Sequence, residues 1–551
     1  MQSASLNNQL DESSAELRPQ LVTTVAVRKQ TYGQILKSSA VIGGSSVLNI
    51  GIGIVRTKAM AILLGPAGFG LAGLYTSIVT LTQSVAGMGI NSSGVREIAE
   101  AAGSDDQQRI ARTVAVLRRT SIILGVMGAA LLLIFSQPVS KVTFGNTQRT
   151  GTVCLLSLAV FFQLVSAGQG ALIQGMRRIR DLAKMNVIGA LSGAVISIPV
   201  VYFFREQGIA FALVCVAAMT IITSWFYVRK IQITTPAMTT AQVGQGAASL
   251  LKLGVAFMVS GFVVTGVAYV VRVILLHRVG IAATGWYQSA WTLGGLYVGF
   301  ILQAMGADFY PRLSAVANDN AECNRLVNEQ ALVGLLLAGP GVIATLTFAP
   351  LVIALFYSAK FGAAVPVLRW ICLGATLQVI TWPMGFIILA KARQDFFLFS
   401  EVVWAAVAMG LAWTCVGLFG LNGAGIAFFG SYIFHWILTY PLVRHLSGFR
   451  WSAENTRTGL LYLPLIAIVF GSFYLLPFAV AVGVGIAGLL SSCAYSLRIF
   501  LRLVELEEVP PAARRVMRYL GPLLRIEARM HAAGSTVHGQ GSSASPVAEP
   551  H

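Results

Sequence analysis

The segment Ile54–Ile78 reads IVRTKAMAILLGPAGFGLAGLYTSI, and the chain continues to GMGINSSGVREIA at Gly87–Ala99. Two long apolar stretches meet here at Gly65-Pro66, a pair that breaks a helix and turns the chain. The pattern returns later. Val270–Leu293 reads VVRVILLHRVGIAATGWYQSAWTL and continues to AMGADFYPRLSAV at Ala304–Val316. Arg56 matches Arg272, Gly65 matches Gly280, Gly70 matches Gly285 and Gly89 matches Gly306, at offsets of 216, 215, 215 and 217. Chance similarity between apolar helices would share composition. It would not be expected to put an arginine at the same place in both copies.

Working outward, the rest of the chain is of the same kind. Of 551 residues, 56% are hydrophobic and only 11% charged, where a soluble domain carries about 25%. Mean hydropathy is +0.74. Continuous apolar runs of about 20 residues read as spanning helices rather than barrel strands. Fourteen are expected: 38–64, 68–91, 120–137, 152–174, 185–204, 208–228, 253–276, 285–308, 331–357, 365–390, 397–418, 423–443, 458–476 and 479–497. The fold expected is an all-α integral membrane protein, two repeated six-helix bundles plus two extra C-terminal helices. Its parts are a cytoplasmic tail (1–37), a first bundle (38–230), a cytoplasmic linker (231–252), a second bundle (253–446), the additional pair (458–497) and a cytoplasmic tail expected to be basic and amphipathic and then disordered (498–551).

The net charge of +18 would suggest nucleic acid in a soluble protein. Here it follows membrane topology. With the N-terminus inside, only Lys141, Arg149, Arg205, Arg278 and Lys360 fall in outer loops, and Arg56, Lys58, Arg272 and Arg369 fall within spans. The other thirty of the 39 Lys and Arg lie on the inner side. That asymmetry places both termini in the cytoplasm and implies an even number of spans. No secretory leader is expected, because the first 37 residues are polar. The six cysteines form no CxxC and read as small hydrophobes, so no metal site is expected.

Several classes are disfavoured. No GxxxxGK[ST] is present, so no P-loop hydrolyses ATP. The GxGxxG at Gly483, Gly485 and Gly488 lies inside a span without a preceding strand, and serves helix packing. The outer loops are too short for an extracytoplasmic catalytic domain, so no enzyme is expected. Repeated bundles that both start on the cytoplasmic side are typical of secondary transporters, with the site near the repeat interface.

The LLGPAGFGLAGLY segment at Leu63–Tyr75 and the DFYPRLSAV segment at Asp308–Val316 resemble the Wzx-type O-antigen and polysaccharide flippases. These belong to the multidrug/oligosaccharidyl-lipid/polysaccharide exporter superfamily. The resemblance covers residues 35–446 or so. It implies an inner-membrane protein that moves undecaprenyl-diphosphate-linked oligosaccharide from the cytoplasmic to the periplasmic leaflet, without a cofactor. Many members of that branch have twelve spans, and fourteen is closer to the related lipid II flippases. A drug or cation antiporter of the same superfamily is the nearest alternative, and a membrane polysaccharide polymerase a distant one. The implied partners are the lipid-linked glycan and membrane lipids, with a polysaccharide polymerase and a chain-length regulator.

Such a protein needs cations for a diphosphate within a wet cavity. Charges inside spans are costly, so each is a site candidate. Arg56, Lys58, Arg272, Arg369 and the polar Asn49 are the substrate-binding candidates. Glu401, His435 and Asp308 are the candidates for proton or sodium coupling. Each has a plainer role open to it. Arg272 and Arg369 could snorkel to an interface, Asp308 could pair with Arg312, and Glu401 with Lys391 or Arg393.

Overall fold

A computed structural model describes residues 45–503, apart from 105, 232 and 234–237. The two polar tails therefore lie outside the described residues, as do the side chains of 301–308. Among the described residues the elements are all helical. They are α1 (Ser45–Ala86), α2 (Ile90–Gly103), α3 (Gln107–Ile134), α4 (Ser136–Phe144), α5 (Thr150–Gly175), α6 (Ile179–Phe204), α7 (Gly208–Val228) and α8 (Thr240–Arg278). Then come α9 (Ile281–Ala315), α10 (Asn320–Phe356), α11 (Ala364–Ala390), α12 (Gln394–Phe419), α13 (Leu421–Ser447), α14 (Ala453–Leu475) and α15 (Phe478–Leu503). In hydrocarbon every backbone N–H and C=O must be satisfied within the chain, which is why an apolar sequence of this length becomes helices.

Eleven described helical runs are long and apolar enough to cross a membrane. Two of them are too long for a single crossing. The 42 residues of α1 extend roughly 63 Å, about twice the hydrocarbon thickness. Gly65 breaks this run, with φ +63°, a conformation that costs glycine little and Pro66 then follows as the start of a new helix. The turn expected at Gly65-Pro66 is thus where the helical run is interrupted. The run Ile179–Val228 is divided in the same way, by the short 3₁₀ turn Arg205–Gln207.

Two stretches differ from the sequence reading. The outer loop expected near 138–151 contains the nine-residue helix α4, closed by Gly145 at φ +74°. The linker expected over 231–252 is helical from Thr240 onward. Thr239 caps that helix: its hydroxyl accepts from Gln242 N–H at 3.4 Å, and Gln242 Oε1 accepts from Thr239 N–H at 3.1 Å. This reciprocal box starts a helix well before the apolar run begins, so hydropathy alone placed the start too late.

The described residues form two compact units. One gathers residues up to Gly295 with Pro350–Gly374 and Ala392–Thr439. Its tightest crossing joins α1 to the start of α9. A Cβ on Gly70 would sit 2.5 Å from the carbonyl oxygen of Ile281, and one on Gly285 would meet the carbonyl of Pro66. Backbone touches backbone there, which only small residues permit. Tyr75, Ile78, Leu156, Val160, Ile209 and Ala217 fill the core beside it.

The other unit holds Leu296–Ala349, Ala375–Lys391 and the chain from Tyr440. Within it, the two additional helices are pinned to α10 by polar contacts. Asn328 receives the side-chain amide of Asn455 on both its oxygens, at 2.7 and 2.9 Å, and the Ser452 N–H at 2.8 Å. The Tyr462 hydroxyl lies 2.5 Å from that of Ser496, which donates to the Leu336 carbonyl at 2.7 Å. Buried hydrogen bonds of this kind fix register where packing alone would slide.

Candidate functional site

A cavity of about 400 Å³ opens within the first unit, lined by α1, α6, α7, α8 and α9. That lies within the range of ligand clefts, about 300–1,000 Å³. Arg56 and Arg272, the matched arginines of the two repeats, both line it. Arg56 donates from Nε to the Ser197 hydroxyl at 2.9 Å. That hydroxyl in turn donates to the Gly193 carbonyl at 2.5 Å. Arg272 donates from Nε to Gln288 Oε1 at 2.7 Å and from Nη1 to the Ala268 carbonyl at 2.6 Å. Its guanidinium also lies 5.8 Å from the Tyr287 ring centroid.

Arg272 is only 6% exposed, so its side chain does not reach out to an interface. Its place depends on Gln288, whose amide is held by the Thr292 hydroxyl at 3.2 Å. Gln288 in turn fits because Gly73 opposes it, where a Cβ would come within 3.0 Å of Oε1. Among the described residues neither arginine has a carboxylate partner; both are held by neutral groups. Burying a cation is costly unless an opposite charge compensates it. Two guanidiniums on one cavity, Arg272 buried and Arg56 part-buried, are an arrangement that would suit an anion with more than one negative oxygen.

The remaining binding candidates lie elsewhere. Lys58 is half-buried and does not line this cavity. Two residues along a helix is about 200° of rotation, which turns it away from Arg56. Asn49 stands two turns before Arg56 on α1, outside the cavity lining, and its Oδ1 is buried with no partner among the described residues. Arg369 is buried on α11, which contributes nothing to the cavity wall. Asp308 belongs to α9, and its side chain lies outside the described residues. Sequence reasoning missed Ser197, Gln288 and Thr292. The available signal is an uncharged polar residue inside an apolar run, which among the candidates only Asn49 carries.

His435 on α13 lies against the rings of Trp404 and Tyr432, and Glu401 stands one turn before Trp404 on α12. Trp404, one turn after Glu401, has its ring centroid 6.3 Å from that of His435, and Tyr432 stands 6.0 Å from the same imidazole. His435 Nε2 is 3.5 Å from the Thr439 hydroxyl. Its Nδ1 and the Trp404 Nε1 are both buried without a partner among the described residues. The partners expected for Glu401 are engaged differently. Arg393 forms a two-pronged pair with Asp395 at 2.8 and 3.0 Å, which holds the Asp395 carboxyl down at about 2. Lys391 binds the Ala317 carbonyl and Asn320 Oδ1 at 2.9 and 2.6 Å. Those shorter reaches from the helix junction satisfy both cations before Glu401 comes within range.

Long apolar helices around a cation-lined cavity define a multi-pass membrane protein of transporter fold. The chain belongs to the family described as polysaccharide biosynthesis protein, which matches residues 59–366. It is similar to the lipid III flippase of Escherichia coli (strain K12), 24% identical over 413 residues, covering 73% of this chain and 97% of that protein. Among solved structures it resembles the lipid II flippase MurJ in an inward closed conformation. That likeness has a TM-score of 0.64 at 13% identity and covers 85% of this chain and 100% of the other. An inward-facing multidrug resistance MATE family transporter of the MOP superfamily also matches, with a TM-score of 0.60 at 15% identity over 73% and 99% of the two chains. All three are named for transport rather than for a chemical reaction.

Proposed function

We propose that this chain is a flippase that carries an undecaprenyl-diphosphate-linked oligosaccharide, an O-antigen or exopolysaccharide repeat unit, from the cytoplasmic to the periplasmic leaflet by alternating access. The observation that carries this reading is the pair of guanidiniums on one cavity, Arg272 buried and Arg56 part-buried, each held by neutral groups. A diphosphate supplies the negative charge they lack. The names of its relatives, a lipid III flippase and a lipid II flippase, support it. No covalent bond changes, so no nucleophile or general base is required. Glu401 and His435 are the groups through which a proton or sodium gradient would couple. A polymerase and a chain-length regulator would receive the product.

Deleting the gene should leave the lipid-linked oligosaccharide on the cytoplasmic leaflet and abolish the surface polysaccharide. Leaflet-specific labelling of the lipid-linked pool measures the first, and surface glycan staining the second. Normal surface polysaccharide with lost dye efflux would favour a drug antiporter instead.

In this reading the protein lies in the bacterial inner membrane with fourteen crossings and both termini in the cytoplasm. The bundles 38–230 and 253–446 then form its two halves, joined by the linker 231–252. Reporter fusions after Lys141 and Lys360 should read out as periplasmic, and fusions after Arg178 and Arg325 as cytoplasmic. A C-terminal fusion active only in the periplasm would sink the fourteen-crossing arrangement.

A further inference from the structure

We propose that a second cavity in the first unit is a sugar-binding subsite selective for uncharged glycan; this rests on the flippase reading and adds the class of sugar it takes. The cavity measures about 370 Å³ and is lined by α2, α5, α6 and α7. Its polar lining is Asn91, Gln163, Ser166, Gln174, Asn186 and Thr220, and no charged side chain lines it. In a chain with so many arginines at helix ends, a wall whose polar groups are all amides and hydroxyls is a chemical choice. The side chains of Asn91, Gln174 and Asn186 are exposed at the open mouth and make no hydrogen bond to any described residue, so their amides can meet a ligand. Each amide both donates and accepts, which matches a sugar hydroxyl that does the same. Leu182 and Met185 complete the wall and offer apolar surface to the C–H faces of a sugar ring. An anionic sugar would find no cation in this wall to pair with its charge.

One face of α1 lines the arginine cavity and reaches the wall of this one. Thr76 and Thr80 line the arginine cavity, and Gln83 is hydrogen-bonded to Gln163 in the wall of the second. Residues 76, 80 and 83 follow the four-and-three spacing of a single helix face. Thr76 and Thr80 donate their hydroxyl protons to the carbonyls four residues back, at 2.8 Å each, which leaves their oxygens to accept from a ligand. The row spans about 10 Å of helix. A diphosphate on Arg56 and Arg272 would lead its first sugars along this row into the amide wall.

The test uses the purified full-length protein in nanodiscs and three probes: farnesyl diphosphate, the same lipid carrying N-acetylglucosamine, and the same lipid carrying glucuronic acid. Binding is measured by calorimetry. The wild-type protein should bind the N-acetylglucosamine probe about tenfold tighter than the bare diphosphate, as expected for one or two added neutral hydrogen bonds. It should show no such gain for the glucuronic acid probe. The Gln174→Ala, Asn186→Ala variant should lose the gain and keep its affinity for farnesyl diphosphate. Asn186→Lys, which adds a cation to the wall, should shift preference toward the glucuronic acid probe. Equal binding of bare and sugar-bearing probes by the wild-type protein overturns the subsite, as does a gain that survives both variants. The flippase reading fails separately, if farnesyl diphosphate binding is absent or is indifferent to Arg56→Ala.

Discussion

Arg272→Ala should impair flipping severely while the protein remains in the membrane at normal abundance. The side chain is almost fully buried and its guanidinium is aimed by two short hydrogen bonds, to Gln288 and to the Ala268 carbonyl. Its freedom to wander is therefore small, and its loss removes a cation that nothing adjacent replaces. Hydrogen bonds to charged groups contribute about 1.5–3 kcal/mol, so binding of a diphosphate should weaken roughly tenfold to a hundredfold. Arg56→Ala should act in the same direction from the α1 and α6 wall. Lysine at either position should rescue only in part, because an ammonium cannot reproduce the paired, planar donation of a guanidinium. Transport in proteoliposomes and surface polysaccharide in cells give the readouts, with membrane protein quantified alongside. Full activity of an Arg56→Ala, Arg272→Ala double variant at normal abundance would discard the diphosphate site.

Gly285→Ala should destabilise the folded protein, although alanine is the better helix former by about 1 kcal/mol. The new methyl would fall on the Pro66 carbonyl and within 3.0 Å of the Gly70 nitrogen. Both are backbone atoms, so no side chain can swing aside to make room. The helices must separate, and overpacking of this kind costs typically 1–3 kcal/mol. Gly70→Ala should behave alike, since its methyl would lie 2.5 Å from the Ile281 carbonyl. Gly471→Ala on α14, with nothing within 4 Å, serves as the control and should be neutral or slightly stabilising. Thermal melting of the detergent-purified protein measures the difference. Equal melting temperatures for Gly285→Ala and Gly471→Ala would show that the crossing yields without cost.

The quoted segment carried much of this in plain view. Gly65 and its counterpart Gly280 both adopt positive φ, +63° and +110°. Gly70 and its counterpart Gly285 come to lie against each other. The matched arginines line one cavity. Each of these was visible as a position in a repeat, because repetition marks the residues that two equivalent helices both need. What repetition could not show was the company they keep. Ser197 stands 141 residues from the Arg56 it holds, and Gln288 reads as one more polar residue in an apolar run until α9 folds back beside α8. The same limit applied to Glu401, where sequence proximity pointed to Lys391 and Arg393. Those cations were taken by Asn320, the Ala317 carbonyl and Asp395.

By itself the sequence determined what each residue's own transfer energy determines. These are the membrane as solvent, the helix as the spanning element, the places where glycine and proline interrupt it, and the few charges that burial makes expensive. Such terms depend on one residue and its chain neighbours, so composition and spacing carry them. The tertiary structure alone decided which expensive charges share a cavity and which are turned away. It decided that neutral groups rather than carboxylates hold the two arginines, and that an amide wall stands beside them. These are pair properties, set by contacts between helices far apart in the chain. Their energies change by several kcal/mol over a few ångströms, and that distance exists only once the helices have packed.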